Sequence, residues 1–315
     1  MWRYAVRRVL ILIPTILVVT LGIFVLMRTA VRGDPTLYLM GHEATLQQAA
    51  AARARLGLDR PVLVQYGDWL RRLGRLDLGR SFEYPIDVRS ALSGRLPATA
   101  ELAAFATLLA LLVAVPAGTV AAVARGTPVE HALRGVLVAG VCVPNFWLGM
   151  LLIYVFTVKL HWLSNSTYIP ITENWRQNLT SMILPAVSLA AFYAAAWARY
   201  LSSALLEVLH GDYIRVARAK GLLERTVVLK HALRNALIPV VTIVGQNIPF
   251  MLAGAVIVEV VFSLPGVGRL FSDAIQARDY PVVQGAVLLV TAAVVASSLV
   301  VDLSYGVLDP RIKYD

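Results

Sequence analysis

Long uncharged stretches alternate along the chain with shorter segments that carry the charges. Six stretches are each long enough to cross a hydrocarbon core of about 30 Å as a helix. They are residues 9–27, 102–124, 135–158, 177–198, 235–258 and 280–301. The first is longer than a signal-peptide core and no A-x-A-like cleavage site follows it, so we expect it to remain as a span. The pattern predicts an all-α integral membrane protein with six transmembrane helices and a long external first loop.

Three parts follow from this arrangement. Residues 1–28 hold an N-terminal tail and the first transmembrane helix, and residues 29–98 form an external loop or subdomain. Residues 99–315 form the core, with transmembrane helices 2–6 and a cytoplasmic loop over residues 206–236.

Composition supports the membrane assignment and orients the spans. The chain is 58% hydrophobic and only 15% charged, with a formal net charge of +10. In a multispan protein such an excess of Lys and Arg sets orientation, because basic residues favour the cytoplasmic loops. The basic N-terminus, the 125–134 turn and the 199–234 loop are therefore expected in the cytoplasm, with the C-terminus, and nucleic-acid binding is not expected.

The external loop contains an amphipathic pattern after Pro61. Helical spacing brings together the apolar residues Val62, Tyr66, Trp69, Leu70 and Leu73. We expect a helix here that lies on the membrane surface, packs on the spans, or covers a pore mouth for a docking protein.

The most basic segment interrupts the apolar region between the fourth and fifth spans. Residues 212–239 carry six cations, Arg215, Arg218, Lys220, Arg225, Lys230 and Arg234. We expect the fourth helix to stop at a left-handed Gly211, Asp212 to cap a short helix over Tyr213–Lys220, and Gly221 to end it. Two turns are not stable alone in water, so the helix needs a surface to pack on. This segment is either a docking knob for a cytoplasmic partner or a basic loop attracted to anionic lipid.

The same segment carries a family resemblance. Residues 213–221 (YIRVARAKG) and 231–239 (HALRNALIP) resemble the cytoplasmic coupling motif of ABC importer permeases, in the form used by the dipeptide, oligopeptide and nickel uptake family. The motif of the wider superfamily begins Glu-Ala-Ala, where this chain has Arg215-Val216-Ala217, but Gly221 is kept. Further matches follow in order: Tyr4, Arg7-Arg8, residues 33–35, 56–61, 79–81, 95–99, 259–270 and 278–281, Tyr305, and residues 309–311.

The resemblance implies one of two transmembrane subunits of a bacterial importer for peptides or a related small solute, in the inner membrane. Its implied partners are a second homologous permease subunit, two cytoplasmic ABC ATPase subunits that hold ATP and Mg, and an external substrate-binding protein. The implied ATPase-coupling residues are Asp212, Tyr213, Arg215, Ala217, Arg218, Ala219, Lys220, Gly221 and Leu222. The resemblance does not name one substrate among dipeptides, longer peptides, nickel chelates and glutathione-like thiols.

Glu259 stands at the end of the fifth apolar stretch, just before a Pro-Gly turn. The predicted topology brings it near the external face, where it lines the mouth of the pathway and meets a cationic substrate terminus. Alternatively, it is an ordinary carboxylate at the water interface or paired with a basic residue.

The sequence contains no enzyme signature of its own. No G-x-x-x-x-G-K-[ST] motif or Gly-Lys dipeptide occurs, so ATP must be hydrolysed on other subunits, and we expect no cofactor or metal on this chain. The alternative function is a stand-alone secondary transporter driven by an ion gradient. Such transporters usually place charged coupling groups near the membrane midplane, and the interiors of the six predicted spans have none.

Overall fold

The computed structural model describes residues 2–29, 46–84, 86–163 and 168–308, and over these residues the regular structure is helical. The helices are α1 (Trp2–Thr29), α2 (Leu46–Leu56), α3 (Val62–Leu73), α4 (Val88–Val123), α5 (Pro128–Cys142), α6 (Asn145–Leu152), α7 (Trp175–Leu209), α8 (Asp212–Ala219), α9 (Leu233–Val261), α10 (Val267–Gln276) and α11 (Tyr280–Leu308). Two π-helical segments, Ile153–Lys159 and Val227–Ala232, directly follow α6 and precede α9. Parts of two predictions lie outside the described residues: residues 30–45 of the external loop and 309–315 at the C-terminus.

Within the described residues, four helices are long and apolar enough to cross a membrane, and a fifth crossing results if one bent pair counts as a single span. A shorter apolar helix, Pro14–Thr29, lies within the first predicted span. These findings confirm an all-helical integral membrane protein. They do not by themselves establish all six spans.

The third predicted span is not one continuous helix. Helix α5 ends at Cys142, and α6 begins after Pro144 at an angle of 100° to it. Proline has no N–H to donate to the preceding turn and disfavours helical geometry in the residue before it, and Val143 is extended accordingly. The hydroxyl of Ser188 donates to the carbonyl of Asn145 at 2.6 Å, so the start of α6 is held against α7.

The described chain divides into two compact units. The first unit contains residues 1–99 and 265–296, and the second contains residues 100–264 and 297–315. The boundary that the sequence suggests between residues 98 and 99 lies inside helix α4.

In the first unit, the predicted amphipathic helix is present as α3 and packs on α1. The Tyr66 hydroxyl lies 3.0 Å from the Thr20 hydroxyl and donates to the Leu17 carbonyl at 3.1 Å. The rings of Phe24 and Tyr66 meet edge to face at 5.3 Å, beside the buried Trp69. Of the three roles left open by the sequence, these contacts support packing on the chain's own span.

A buried carboxylate joins the segment after α3 to the start of α11. Asp279 is buried and accepts a hydrogen bond from the Ser81 hydroxyl. It also accepts bonds from the Glu83 amide at 3.4 Å and the Val282 amide at 3.3 Å. These donors compensate the cost of burying the charge.

In the second unit, helix α7 is central and packs against α5, α6 and α9. Helix α4 also approaches α7 closely, at Gly118. A Cβ added at Gly118 would lie 2.6 Å from the Ala198 carbonyl oxygen and 3.0 Å from the Leu201 Cβ. Close backbone contact at small residues is the usual way in which membrane helices associate.

A polar contact anchors one end of α7. Asn178 is 0% exposed, and its amide donates to the Glu101 carboxylate at 2.6 Å and to the Ile169 carbonyl at 2.8 Å. The Ile171 amide donates to the same carboxylate at 3.4 Å. Glu101 therefore binds the connection that precedes α7.

Candidate functional site

The basic segment contains the predicted short helix, α8, over Asp212–Ala219. Its start differs from the prediction. Gly211 is not left-handed, with φ −66° and ψ 146°, and it occupies the N-cap position itself. Asp212 is the first helical residue and not the cap, and its carboxylate lies 3.3 Å from Nη1 of Arg215. An acidic residue in the first turn still interacts favourably with the helix dipole.

The end of α8 agrees with the prediction. Gly221 has φ +76°, a left-handed conformation that glycine adopts without steric cost. Its amide donates to the Arg218 carbonyl at 2.9 Å, and the Lys220 amide donates to the Val216 carbonyl at 3.1 Å. The chain therefore leaves the helix through a defined turn.

One face of α8 is buried in its own chain. Ile214 and Ala217 belong to an apolar cluster that includes Leu201 and Leu205 of α7 and Ala236 of α9. This packing supplies the order that eight residues lack by themselves. Ala217, predicted as a coupling residue, thus faces the core of its own unit.

The opposite face is exposed and mixes basic with apolar residues. It contains Tyr213, Arg215, Val216, Arg218, Ala219 and Lys220, and the exposed surface continues through Gly221, Leu222 and Leu223. Leu223 is 77% exposed, and together with the exposed Val216 and Leu222 it adds apolar area to this surface. We call these nine residues the outer surface.

Two side-chain contacts fix α8 to the segment that follows it. The Arg218 guanidinium donates to both carboxylate oxygens of Glu224, at 3.0 and 2.6 Å. The Asn235 amide donates to the Tyr213 hydroxyl at 2.8 Å. The first contact spans the Gly221 turn and the second connects α8 to the first turns of α9.

The ion pair also shifts the titration of its members. The hydrogen bond with Glu224 raises the pKa of Arg218, and the hydrogen bonds from Arg218 lower the pKa of Glu224, which lies before the uncharged stretch of α9. Both side chains are about half exposed, so the pair is screened by solvent. It acts mainly as an orienting contact.

Helical geometry is irregular immediately beyond this contact. Residues Val227–Ala232 form a π-helical segment between the turn at Glu224–Thr226 and α9. Its Val227 and Ala232 side chains are buried in the same cluster as Ile214. Segments of this kind occur frequently at functional sites.

Glu259, the predicted pathway residue, lies in the last turn of α9 and is only 1% exposed. Its carboxylate is buried in the second unit, away from α8. Within the described residues no group of three or more His, Cys, Asp or Glu side chains could hold a metal ion.

Sequence reasoning did not find Glu224, Asn235 or Asn178 as partners. Arg218 and Glu224 are six residues apart, a spacing that brings side chains together only when a turn reverses the chain between them. The left-handed glycine at 221 was the available signal. No local pattern pairs Glu101 with Asn178, because they are distant in sequence.

Comparison with known proteins gives two family matches and many similar chains. The family model described as "Binding-protein-dependent transport system inner membrane component" matches residues 114–314, and the model for the N-terminal part of such components matches residues 1–103. The chain is 38% identical to the dipeptide transport system permease protein DppB of Escherichia coli (strain K12), over 100% of this chain and 99% of that protein. It is 40% identical to the di/tripeptide transport system permease protein DppB of Pseudomonas aeruginosa (strain UCBPP-PA14), over the same shares of both chains.

Proposed function

We propose that this chain, which belongs to the family of binding-protein-dependent transport system inner membrane components, forms half of the translocation pathway of a peptide importer. As a family member it is a membrane-embedded permease subunit of an ABC importer. This membership replaces the alternative of a stand-alone secondary transporter. The proposed substrate class rests on relatives named as dipeptide and di/tripeptide permeases, similar over the full chain.

The proposed topology has six spans. The bent pair α5–α6 serves as the third span and α1 as the first, and both termini and the 206–236 loop lie on the cytoplasmic side of the inner membrane. The distribution of basic residues supports this orientation. Residues 29–98 then lie outside, as an external subdomain in which α3 is packed on α1.

The observation that carries the coupling proposal is the two-faced helix α8. Its inner face is anchored by Ile214 and Ala217, while the outer surface presents arginines together with exposed apolar side chains. Such a surface suits a groove on a cytoplasmic ATPase, where guanidinium groups bind carboxylates and apolar side chains fill pockets. We therefore assign direct contact with the ATPase to Asp212 and the outer surface, which includes Gly221. Ala217 has a supporting role.

The anchoring suggests how movement is passed on. Helix α8 contacts α7 through the apolar cluster and α9 through the bond between Tyr213 and Asn235. When the ATPase subunits change their separation on ATP binding and hydrolysis, α8 moves with them and carries the cytoplasmic ends of both spans. This rigid-body motion alternates the pathway between outward-facing and inward-facing states.

The remaining components are supplied by partners. Two ABC ATPase subunits hold ATP and Mg, a second homologous permease completes the pathway, and an external binding protein delivers the substrate. Glu259 is proposed as a pathway residue. Because its side chain is buried in the described structure, this role requires that it becomes accessible in another transport state.

The test uses the tagged importer complex purified from native membranes and reconstituted in proteoliposomes. Val216→Asp places a charge on the outer surface, where Val216 is 54% exposed and makes no core contact. We expect the variant chain to insert normally but to lose the ATPase subunits on purification, and uptake of a labelled dipeptide to fall to background.

The matched control is Val129→Asp, at a residue that is 56% exposed in the first turn of α5. It introduces the same charge at equal exposure and is expected to retain both ATPase binding and uptake. Full ATPase recovery and uptake with Val216→Asp would show that α8 is not the coupling surface. Intact ATP-driven uptake of another solute, without dipeptide uptake, would overturn the substrate class alone.

A further inference from the structure

The first unit contains a basic cavity of about 610 Å³. It lies between the end of α1, the end of α2, helix α3, the segment after α3 and the start of α11. Among the described residues, five arginines and two carboxylates line it: Arg28, Arg55, Arg60, Arg72 and Arg80, with Asp68 and Asp77.

These charges are not balanced within the cavity. Asp68 pairs with Arg60 at 3.2 Å, and Asp77 accepts a hydrogen bond from the Gly79 amide at 2.8 Å. Arg28, Arg55 and Arg72 have no carboxylate at ion-pair distance among the described residues. The described lining of the cavity therefore carries an excess of positive charge.

Arg28 is placed to donate into this space. Its Nε donates to Gln65 Oε1 at 2.8 Å and its Nη1 to the Phe24 carbonyl at 3.3 Å. Its guanidinium carbon lies 3.5 Å from the centre of the Phe24 ring. These contacts fix the guanidinium plane, and within the described residues Nη2 has no acceptor.

A second donor group lacks a partner at the same wall. Gln284 lines the cavity and is 4% exposed, and its buried Nε2 has no hydrogen-bond acceptor in the described structure. Buried donors are nearly always paired in folded proteins, so an unpaired one indicates a missing acceptor. A ligand that only accepts hydrogen bonds, such as a phosphate oxygen, suits this environment.

An apolar groove of about 360 Å³ adjoins the cavity. Leu78 lines both spaces, so they lie on either side of this one side chain. The groove follows Gly285, Leu288, Leu289 and Ala292, which helical spacing places on one face of α11. Its other wall is formed mainly by leucines, including Leu73 and Leu92.

The height of the cavity relative to the membrane follows from the helices that form it. Arg28 is in the last turn of α1, whose apolar part is Pro14–Thr29, and Tyr280 begins the apolar helix α11. Both apolar helices thus have an end at the cavity. Ends of spanning helices lie at the depth of the lipid headgroups, where Arg, Tyr and Trp are typical.

We propose that the first unit binds one anionic phospholipid, with its phosphate among Arg28, Arg72 and Gln284 and one acyl chain in the groove beyond Leu78. Charge complementarity selects the headgroup, and the adjoining groove requires a ligand with a long apolar chain. The site is independent of the coupling surface and does not rest on the proposed substrate.

The experiment is native mass spectrometry of the purified importer complex during titration with phosphatidylglycerol, and separately with phosphatidylcholine of the same acyl chains. We expect one phosphatidylglycerol per copy of this chain to remain bound, with at least tenfold lower occupancy for phosphatidylcholine. Arg28→Gln and Arg72→Gln, made separately, should each lower phosphatidylglycerol occupancy severalfold.

Arg75→Gln is the matched control, because Arg75 is exposed on the same segment but does not line the cavity. It should leave occupancy unchanged. An equal loss of phosphatidylglycerol occupancy in Arg75→Gln, or equal binding of the two lipids, would overturn the proposal of a specific site. Having two independent cavity variants guards against the misfolding of one, which thermal unfolding of each complex would detect.

A groove variant separates a lipid from a soluble phosphate ligand. Ala292→Trp fills the groove without altering the cavity and should lower phosphatidylglycerol occupancy. If it has no effect and glycerol 3-phosphate displaces the lipid at equal concentration, the ligand is a soluble phosphate and the lipid proposal is wrong.

Discussion

The Arg218 guanidinium is bonded to both carboxylate oxygens of Glu224, at 3.0 and 2.6 Å, across the left-handed turn at Gly221. Two parallel hydrogen bonds fix direction as well as distance. The pair therefore sets the angle between α8 and the segment that leads into α9. A partner that binds the outer surface would depend on this orientation of α8.

We predict that Glu224→Gln lowers the ATPase activity stimulated by peptide-loaded binding protein about two- to fivefold. An exposed ion pair contributes about 0.2–1 kcal/mol to stability. Losing it therefore loosens the orientation of α8 but leaves the helix folded. The measurement is ATP hydrolysis by the reconstituted complex. Arg225→Gln, a neighbouring exposed charge, is the control and should retain activity.

The charge-swapped double variant, Arg218→Glu with Glu224→Arg, separates two effects of Arg218. One is the orientation of α8 by the ion pair, and the other is the contact of Arg218 with the ATPase. Recovery of activity relative to Arg218→Glu alone would support the orienting role. If the double variant is no more active than the single one, the contact that Arg218 makes with the partner accounts for its role and the ion pair with Glu224 does not orient α8.

Tyr213→Phe removes the hydrogen bond to Asn235, 2.8 Å long, and keeps the ring. We expect the free energy that protects the α8 amides from hydrogen exchange to fall by about 1 kcal/mol, which is a typical net contribution of one hydrogen bond. Hydrogen exchange of residues 212–219, followed by mass spectrometry, measures this. Tyr200→Phe is the matched control, because Tyr200 is exposed on α7. Equal exchange in both variants would show that the bond does not stabilise α8.

Gly118→Ala should destabilise the second unit by about 1–3 kcal/mol, as overpacking does. The added Cβ lies 2.6 Å from a backbone oxygen of α7, which cannot move without displacing that helix. Thermal unfolding in detergent tests it. Gly135→Ala is the control, since nothing lies within 4 Å of a Cβ there, and it should be neutral or slightly stabilising. Similar melting temperatures for the two variants would contradict the close packing of α4 on α7.

Asn178→Ala leaves the Glu101 carboxylate without its shortest hydrogen bond. We expect faster hydrogen exchange in residues 168–174 and a loss of about 1.5–3 kcal/mol, the usual contribution of a hydrogen bond to a charged group. Gln177→Ala, on the exposed face of the same turn, is the control. Unchanged exchange in Asn178→Ala would mean that the loop is held by other contacts.

The proposed phospholipid site lies in the first unit and the proposed coupling surface in the second, and the two proposals are independent of each other. Failure of lipid binding would leave the importer assignment intact, since that rests on family membership and not on the cavity. Loss of coupling with Val216→Asp would likewise say nothing about Arg28.

The sequence by itself determined the membrane class, most of the helices and the short helix of the basic segment. These features have local causes: uncharged length determines a span, and a glycine at 221 determines where a two-turn helix ends. The ordered motifs from Tyr4 to Arg311 also indicate the family from the sequence alone.

Only the tertiary structure decided which side chains meet. It turned Ala217 inward, made Gly211 the N-cap in place of Asp212 and paired Arg218 with Glu224. It also collected arginines from α1, α2 and α3 around one cavity beside Gln284. The physical reason is that burial and pairing depend on contacts between segments distant in the chain, whereas hydropathy and turn preference depend on neighbours in sequence.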